Sequence, residues 1–156
     1  MESLAGPLVV AGNFSGLQRI HFANGRRFCV PAEWERDDAA LREAIRQLRA
    51  YFSGELKEFN LELVLEGTAF QMKVWNSLRA IPYGQTISYA QLAQEIGNPK
   101  AVRAVGLANG SNPLPIVIPC HRVIGSNGKL TGFGGGLPAK KALLALESRQ
   151  RNFLEE

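Results

Sequence analysis

The sequence predicts an α+β protein, with a small N-terminal module of sheet plus one helix and a mostly helical C-terminal domain holding a helix-turn-helix. Three observations carry that prediction. Short apolar runs separated by Gly, Asn and Ser fill the first thirty residues or so. From residue 40 apolar side chains recur at helical spacing. Beyond residue 67 helix-capping residues and Pro/Gly breaks follow one another closely.

The elements read as follows. Residues 8–11, 17–22 and 27–30 are strands, joined by hairpin turns at 12–16 and 23–25. Ala40, Leu41, Ala44, Ile45, Leu48, Tyr51 and Phe52 mark a helix that Asp37 or Asp38 caps and Gly54 ends. Residues 61–65 alternate like a strand. Glu66-Gly67 is the best boundary, giving units 1–66 and 67–156. The first unit has no motif of its own and reads as a scaffold, with Cys29 a packed strand residue. In the second, Thr68 caps a helix bearing Phe70, Val74, Trp75 and Leu78, and Pro82-Tyr83-Gly84 breaks it. Ser88 starts a short helix with Tyr89, Leu92, Ala93 and Ile96. Asn98 then reads as the cap, and Pro99 as the first residue, of a second helix running to about Asn109. Two short helices about a glycine-containing turn are the helix-turn-helix outline. Leu137-Pro138 opens a last helix that carries Glu147.

Bulk properties narrow the class. The 156 residues suffice for one domain or two small ones. No apolar run approaches the roughly 18 residues of a membrane span. Met1-Glu2-Ser3-Leu4 lacks the basic and apolar regions of a signal peptide, so a cytoplasmic protein is expected. Cys29 and Cys120 are the only cysteines, and with His21 and His121 they show no metal-ligand spacing. Neither a disulfide scaffold nor a bound metal is expected. Residues 1–65 carry eight Lys/Arg against nine Asp/Glu, and residues 66–156 carry ten against five. A basic half suits a polyanion such as nucleic acid. A solubilising surface fits the charge equally well.

The most specific string is Ile116-Val117-Ile118-Pro119-Cys120-His121-Arg122-Val123. It sets a thiol beside an imidazole at the end of an apolar β-type run. A free thiol, with a pKa of about 8.5, is only a few per cent thiolate at neutral pH, and an adjacent base or positive charge raises its reactivity. Cys120 is therefore a candidate nucleophile. A lone cysteine after an apolar run is more often a small buried hydrophobe.

The string Pro119-Cys120-His121-Arg122-Val123 resembles the acceptor-cysteine motif of the O6-alkylguanine-DNA alkyltransferases. Thr86-Ile87-Ser88-Tyr89 and residues 97–106 resemble the same family's DNA-binding segment. Asn112-Pro113 and residues 132–136 resemble its hinge and pocket loop. The likeness is strong over residues 68–147 and loose before them. It implies repair of duplex DNA by direct, single-turnover transfer of an alkyl group from O6-alkylguanine, with O4-alkylthymine a second lesion, to Cys120.

The resemblance also implies roles. His121 acts as base through a bridging water, and Glu147 orients it. Tyr89 donates to the leaving purine, and Asn112 braces the turn. Arg103 fills the space of a flipped nucleotide, while Lys100, Ala101, Ala104 and Gly106 belong to a helix that enters the minor groove. Met72, Val123, Phe133, Gly134 and Gly135 shape the guanine pocket. Several relatives have tyrosine and serine where this chain has Phe133 and Gly134, so a hydroxyl is lost there. No cofactor is implied, and the partner is double-stranded DNA met by a monomer in a bacterial or archaeal cytosol.

Other readings compete. A lesion-binding relative without the reaction would replace the cysteine, which Cys120 opposes. A helix-turn-helix regulator leaves Cys120-His121 and the glycine loop unexplained. A thiol hydrolase would need direct contact between Cys120 and His121.

Overall fold

The computed structural model describes residues 1–23, 30–128, 130, 133 and 135–155. Strands β1 (Leu8–Asn13) and β2 (Gly16–Phe22) form an antiparallel hairpin, with Leu8 opposite Phe22. The Asn13 side-chain oxygen accepts the Ser15 N–H at 2.8 Å and so folds the turn. The strand expected at 27–30, with Cys29, lies outside the described residues apart from Val30.

The strand expected at 61–65 shrinks to a single bridge. Leu17 N–H donates to Glu62 O at 2.8 Å and Val64 N–H donates to Leu17 O at 2.9 Å. The edge of β2 is shared, because further along it Ile20 N–H donates to Pro113 O at 2.9 Å. Two different segments divide one strand's free hydrogen-bonding groups, and neither becomes a full neighbour.

Helix α1 (Arg42–Phe52) buries Ala44, Leu48 and Tyr51 on one face. It is not capped by Asp37 or Asp38. Asp37 Oδ1 accepts Ala40 N–H at 3.1 Å and closes a turn ahead of the helix, and the N-cap position falls to Leu41. Gly54 ends it with φ 83°, which a glycine tolerates. Gly54 N–H reaches Tyr51 O at 3.1 Å and Glu55 N–H reaches Ala50 O at 2.9 Å, the paired bonds of a Schellman stop.

The second half is helical, as its capping residues predict. Thr68 and Gln71 form a capping box that opens α2 (Ala69–Arg79), and Trp75 Nε1 donates to Ala108 O at 2.9 Å. Strand β3 (Ile87–Ser88) leads into α3 (Tyr89–Glu95), opened by a second capping box of Ser88 and Gln91. Helix α4 (Val102–Gly110) starts three residues later than expected. Asn98 is not its cap. Ala101 N–H donates to Asn98 O at 3.0 Å, which makes Pro99 and Lys100 the centre of a β-turn, where the fixed φ of proline is favoured. Strand β4 (Val123–Ile124) pairs in parallel with β3, setting Ile87 opposite Val123 and Ser88 opposite Ile124. Helix α5 (Leu137–Glu155) closes the chain. One continuous core joins both halves, including Leu17, Leu48 and Tyr51 from the first and Leu78, Leu114, Ile118 and Leu143 from the second. Among the described residues, no helix is long and apolar enough to cross a membrane.

Candidate active site

The apolar run before Cys120 is a turn rather than the β-type stretch expected of it. Prolines at 113, 115 and 119 lack the N–H groups a strand interior needs. Ile116 takes φ 78°, the left-handed region that a β-branched residue avoids. Such a residue costs on the order of 1–3 kcal/mol and persists only when its surroundings hold it. Here they do. Ile118 N–H donates to Leu114 O at 2.8 Å. Asn112 clasps the loop from both sides, its Nδ2 donating to Ile118 O at 2.8 Å and its Oδ1 accepting Leu114 N–H at 2.9 Å. Pro119, at φ −79° and ψ 66°, makes an inverse γ-turn that Cys120 N–H closes on Ile118 O at 2.7 Å. A 3-10 turn (Cys120–Arg122) follows and runs straight into β4.

Behind that turn, Glu147 on α5 gathers five donors while only 1% exposed. His121 Nε2 and Tyr51 Oη each lie 2.7 Å from its Oε2. Arg122 donates Nε to Oε1 at 2.8 Å and Nη2 to Oε2 at 3.0 Å, a bidentate grip. Gly84 N–H reaches Oε1 at 3.2 Å. Arg122 Nη1 also donates to Ile81 O at 2.7 Å.

The electrostatics follow from this packing. Burial would raise the Glu147 pKa, but the hydrogen bonds from His121 and Arg122 and the charge of Arg122 outweigh it and hold the carboxyl well below its usual range. For His121 burial dominates and lowers the pKa, so the ring is neutral at neutral pH. An ionised Glu147 can only accept, so the proton of that neutral ring sits on Nε2. Nδ1 is then a lone pair, and it is buried without a hydrogen-bond partner. Neither ring nitrogen bonds the Cys120 sulfur directly, which disfavours the thiol-hydrolase reading. Burial pushes the Cys120 thiol up to about 11, against the opposing pull of the Asn112 hydrogen bond and the Lys140 charge. Lys140 is fully buried, donates to Val123 O at 2.7 Å and stands 6.0 Å from the Tyr89 ring centroid.

Cys120, Asn112, Phe133 and Gly135 border a cavity of about 280 Å³. Gly134 lies outside the described residues. Val123 and Met72 do not border this cavity: Val123 is fully buried in β4, and Met72 on α2 packs against the core. Tyr89 is half-buried at the start of α3, beside Gly106, where an added Cβ would stand 3.9 Å from its ring. On α4, Val105, Ala108 and Asn109 face inward, while Val102, Arg103, Ala104 and Leu107 are exposed, Leu107 to 73%. Lys100 is exposed beside them, and Ala101 and Gly106 are half-buried. Among the described residues no three His, Cys, Asp or Glu side chains converge to hold a metal ion.

Four contributors escaped the sequence reading: Tyr51, Arg122, Lys140 and strand β2. Only Tyr51 carried a signal, a phenol on the apolar face of a periodic helix, where its hydroxyl must find a partner.

Comparison with known proteins agrees with this geometry. Residues 69–149 match the family described as 6-O-methylguanine DNA methyltransferase, DNA binding domain, and residues 1–65 match the ribonuclease-like domain of the same description. A methylated-DNA–protein-cysteine methyltransferase of Methanosarcina acetivorans is 54% identical over 147 residues, covering 94% of each chain. The crystal structure of Mycobacterium tuberculosis OGT in complex with DNA is 51% identical with a TM-score of 0.90, covering 96% of this chain and 91% of that one. The O6-methylguanine-DNA methyltransferase of Pyrococcus kodakaraensis is 28% identical with a TM-score of 0.63, covering 89% of each. With both halves matched and half of all positions shared, the chain belongs to the methylated-DNA–protein-cysteine methyltransferase family.

Proposed function

We propose that this chain repairs duplex DNA by moving the alkyl group of O6-alkylguanine to the sulfur of Cys120, once per molecule. The observation that carries the reading is a buried thiol bordering a cavity, next in the chain to an imidazole whose far nitrogen is fixed by an ionised carboxylate. The Cys120 proton passes through a bridging water to His121 Nδ1, and Glu147 steadies the resulting imidazolium. The sulfur attacks the alkyl carbon, so a carbon–sulfur bond forms as the carbon–oxygen bond breaks. The leaving guanine anion takes a proton from the Tyr89 phenol, and the proton held on His121 returns through water to restore that phenol. The thioether product is not undone by thiol exchange, which acts on disulfides.

A base inside the stack cannot reach a buried thiol, so the nucleotide must be turned out of the duplex. The exposed face of α4 suits that task, with Val102, Ala104 and Leu107 as apolar contact, Lys100 for the backbone and Arg103 to occupy the gap. Residues 67–156 hold the chemistry and the DNA surface, and residues 1–66 support them. The protein acts as a monomer in the cytoplasm, where its substrate lies.

Intact-mass measurement after incubation with a duplex carrying O6-methylguanine tests the reading. One methyl group per molecule is expected, and none in Cys120→Ala. No gain in the wild-type protein would defeat it.

A further inference from the structure

We propose that strand β2 is a specificity element of the transfer site, with Arg19, His21 and Phe22 setting which O6 substituents reach Cys120. The proposal rests on the reading of Cys120 as alkyl acceptor. Four consecutive β2 residues, Arg19 to Phe22, border the same cavity as Cys120. That placement is built in at both ends of the wall. At one end, the Ile20 N–H bond to Pro113 O ties β2 to the residue after Asn112, and hence to the loop that presents the thiol. At the other, Phe22 is 4% exposed and meets Phe133 edge-on at 5.3 Å. A Cβ added to Gly135 would stand 2.6 Å from the Phe22 ring, so the loop backbone is seated directly on that ring.

The direction of attack gives the wall its role. Sulfur, alkyl carbon and O6 must lie nearly in line. Whatever the carbon bears beyond its hydrogens therefore projects sideways, toward the walls of the cavity. A methyl group asks nothing of those walls, but a benzyl group needs room there. Arg19 and His21, two residues apart on the strand, share one of its faces, and Phe22 supports the loop opposite. The module that looks like a scaffold in the sequence thus supplies one side of the substrate chamber.

The test is competitive. Limiting protein is given equal amounts of two duplexes, one with O6-methylguanine and one with O6-benzylguanine, and intact mass reads the ratio of the two adducts on Cys120. Removing a wall group should shift the benzyl-to-methyl ratio by about tenfold or more, the scale of small steric changes in a binding pocket. His21→Ala and Arg19→Ala, at half-buried and exposed positions, carry the test, and Phe22→Leu extends it. An unchanged ratio in both alanine variants overturns the proposal, as does an equal loss of both adducts, which marks a merely structural role. Absence of both adducts on the wild-type protein overturns the underlying reading as well, and so separates the two failures.

Discussion

The Tyr51 hydroxyl on α1 donates a 2.7 Å hydrogen bond to Glu147 on α5, across 96 positions of chain. Through it the N-terminal unit reaches the carboxylate that holds His121. Tyr51→Phe keeps the ring and removes this one bond. Hydrogen bonds to charged groups contribute about 1.5–3 kcal/mol, and a loss of that size should appear in urea unfolding. The single-turnover rate should also fall, because the His121 partner is held less firmly. A variant as stable and as fast as the wild type would show that four donors suffice.

Glu147→Gln should be more damaging. It leaves the buried Arg122 guanidinium without a counter-charge, although the amide keeps one acceptor. Breaking a buried ion pair from one side costs roughly 3–5 kcal/mol, so the denaturation midpoint should drop sharply. Little change would mean that the Ile81 carbonyl and water satisfy Arg122.

The pH dependence of stability has a definite sign. Burial lowers His121 from its ordinary value of 6.5, and His121 and Arg122 lower Glu147 from 4.5. In both cases the unfolded chain binds protons more readily than the folded one. The stabilisation is thus present at neutral pH and is lost on acidification. The melting temperature should decline first below pH 6.5 through His121 and again below 4.5 through Glu147. Glu147→Gln should lose the second decline, which calorimetry across the acid range can check.

Ile116 invites the opposite expectation, since glycine would relieve its left-handed backbone. The relief is about 1–3 kcal/mol. The buried isoleucine side chain is worth more, because Ile→Ala alone costs about 2–5 kcal/mol. Ile116→Gly should therefore destabilise the protein on balance, and slow transfer by loosening the loop that presents Cys120. A more stable variant in urea unfolding would show that strain outweighs packing here.

Arg103 is exposed on α4 and is not among the partners of Glu147. Arg103→Ala should slow repair in duplex DNA much more than reaction with free O6-benzylguanine, and leave the melting temperature nearly unchanged. Equal losses with the two substrates, compared by intact mass, would remove it from nucleotide extrusion.

Which features could be read from the chain depended on how far each reached. Thr68, Ser88 and Gly54 act within a few residues of themselves, so the helix ends they set were legible. Asn98-Pro99 was not, because the same pair can cap a helix or centre a turn, and the Ala101 N–H decides between them. Residues 116–118 have the β-branched character of a strand, yet three prolines and the Asn112 clasp fold them into a turn. Cys120, His121 and Glu147 were recoverable as a set only through resemblance to a family, since nothing local links residue 147 to residue 121. Tyr51 and the β2 wall depend on packing between distant segments, which periodicity does not report.

The depth at which Cys120 lies has a further meaning for a molecule that reacts once. Only 5% exposed, and with its proton held up to about 11, the sulfur meets stray electrophiles in the cell as a weak thiol rather than as an anion. A reagent that cannot be regenerated keeps its shelf life this way, staying inert until a lesion is delivered to it.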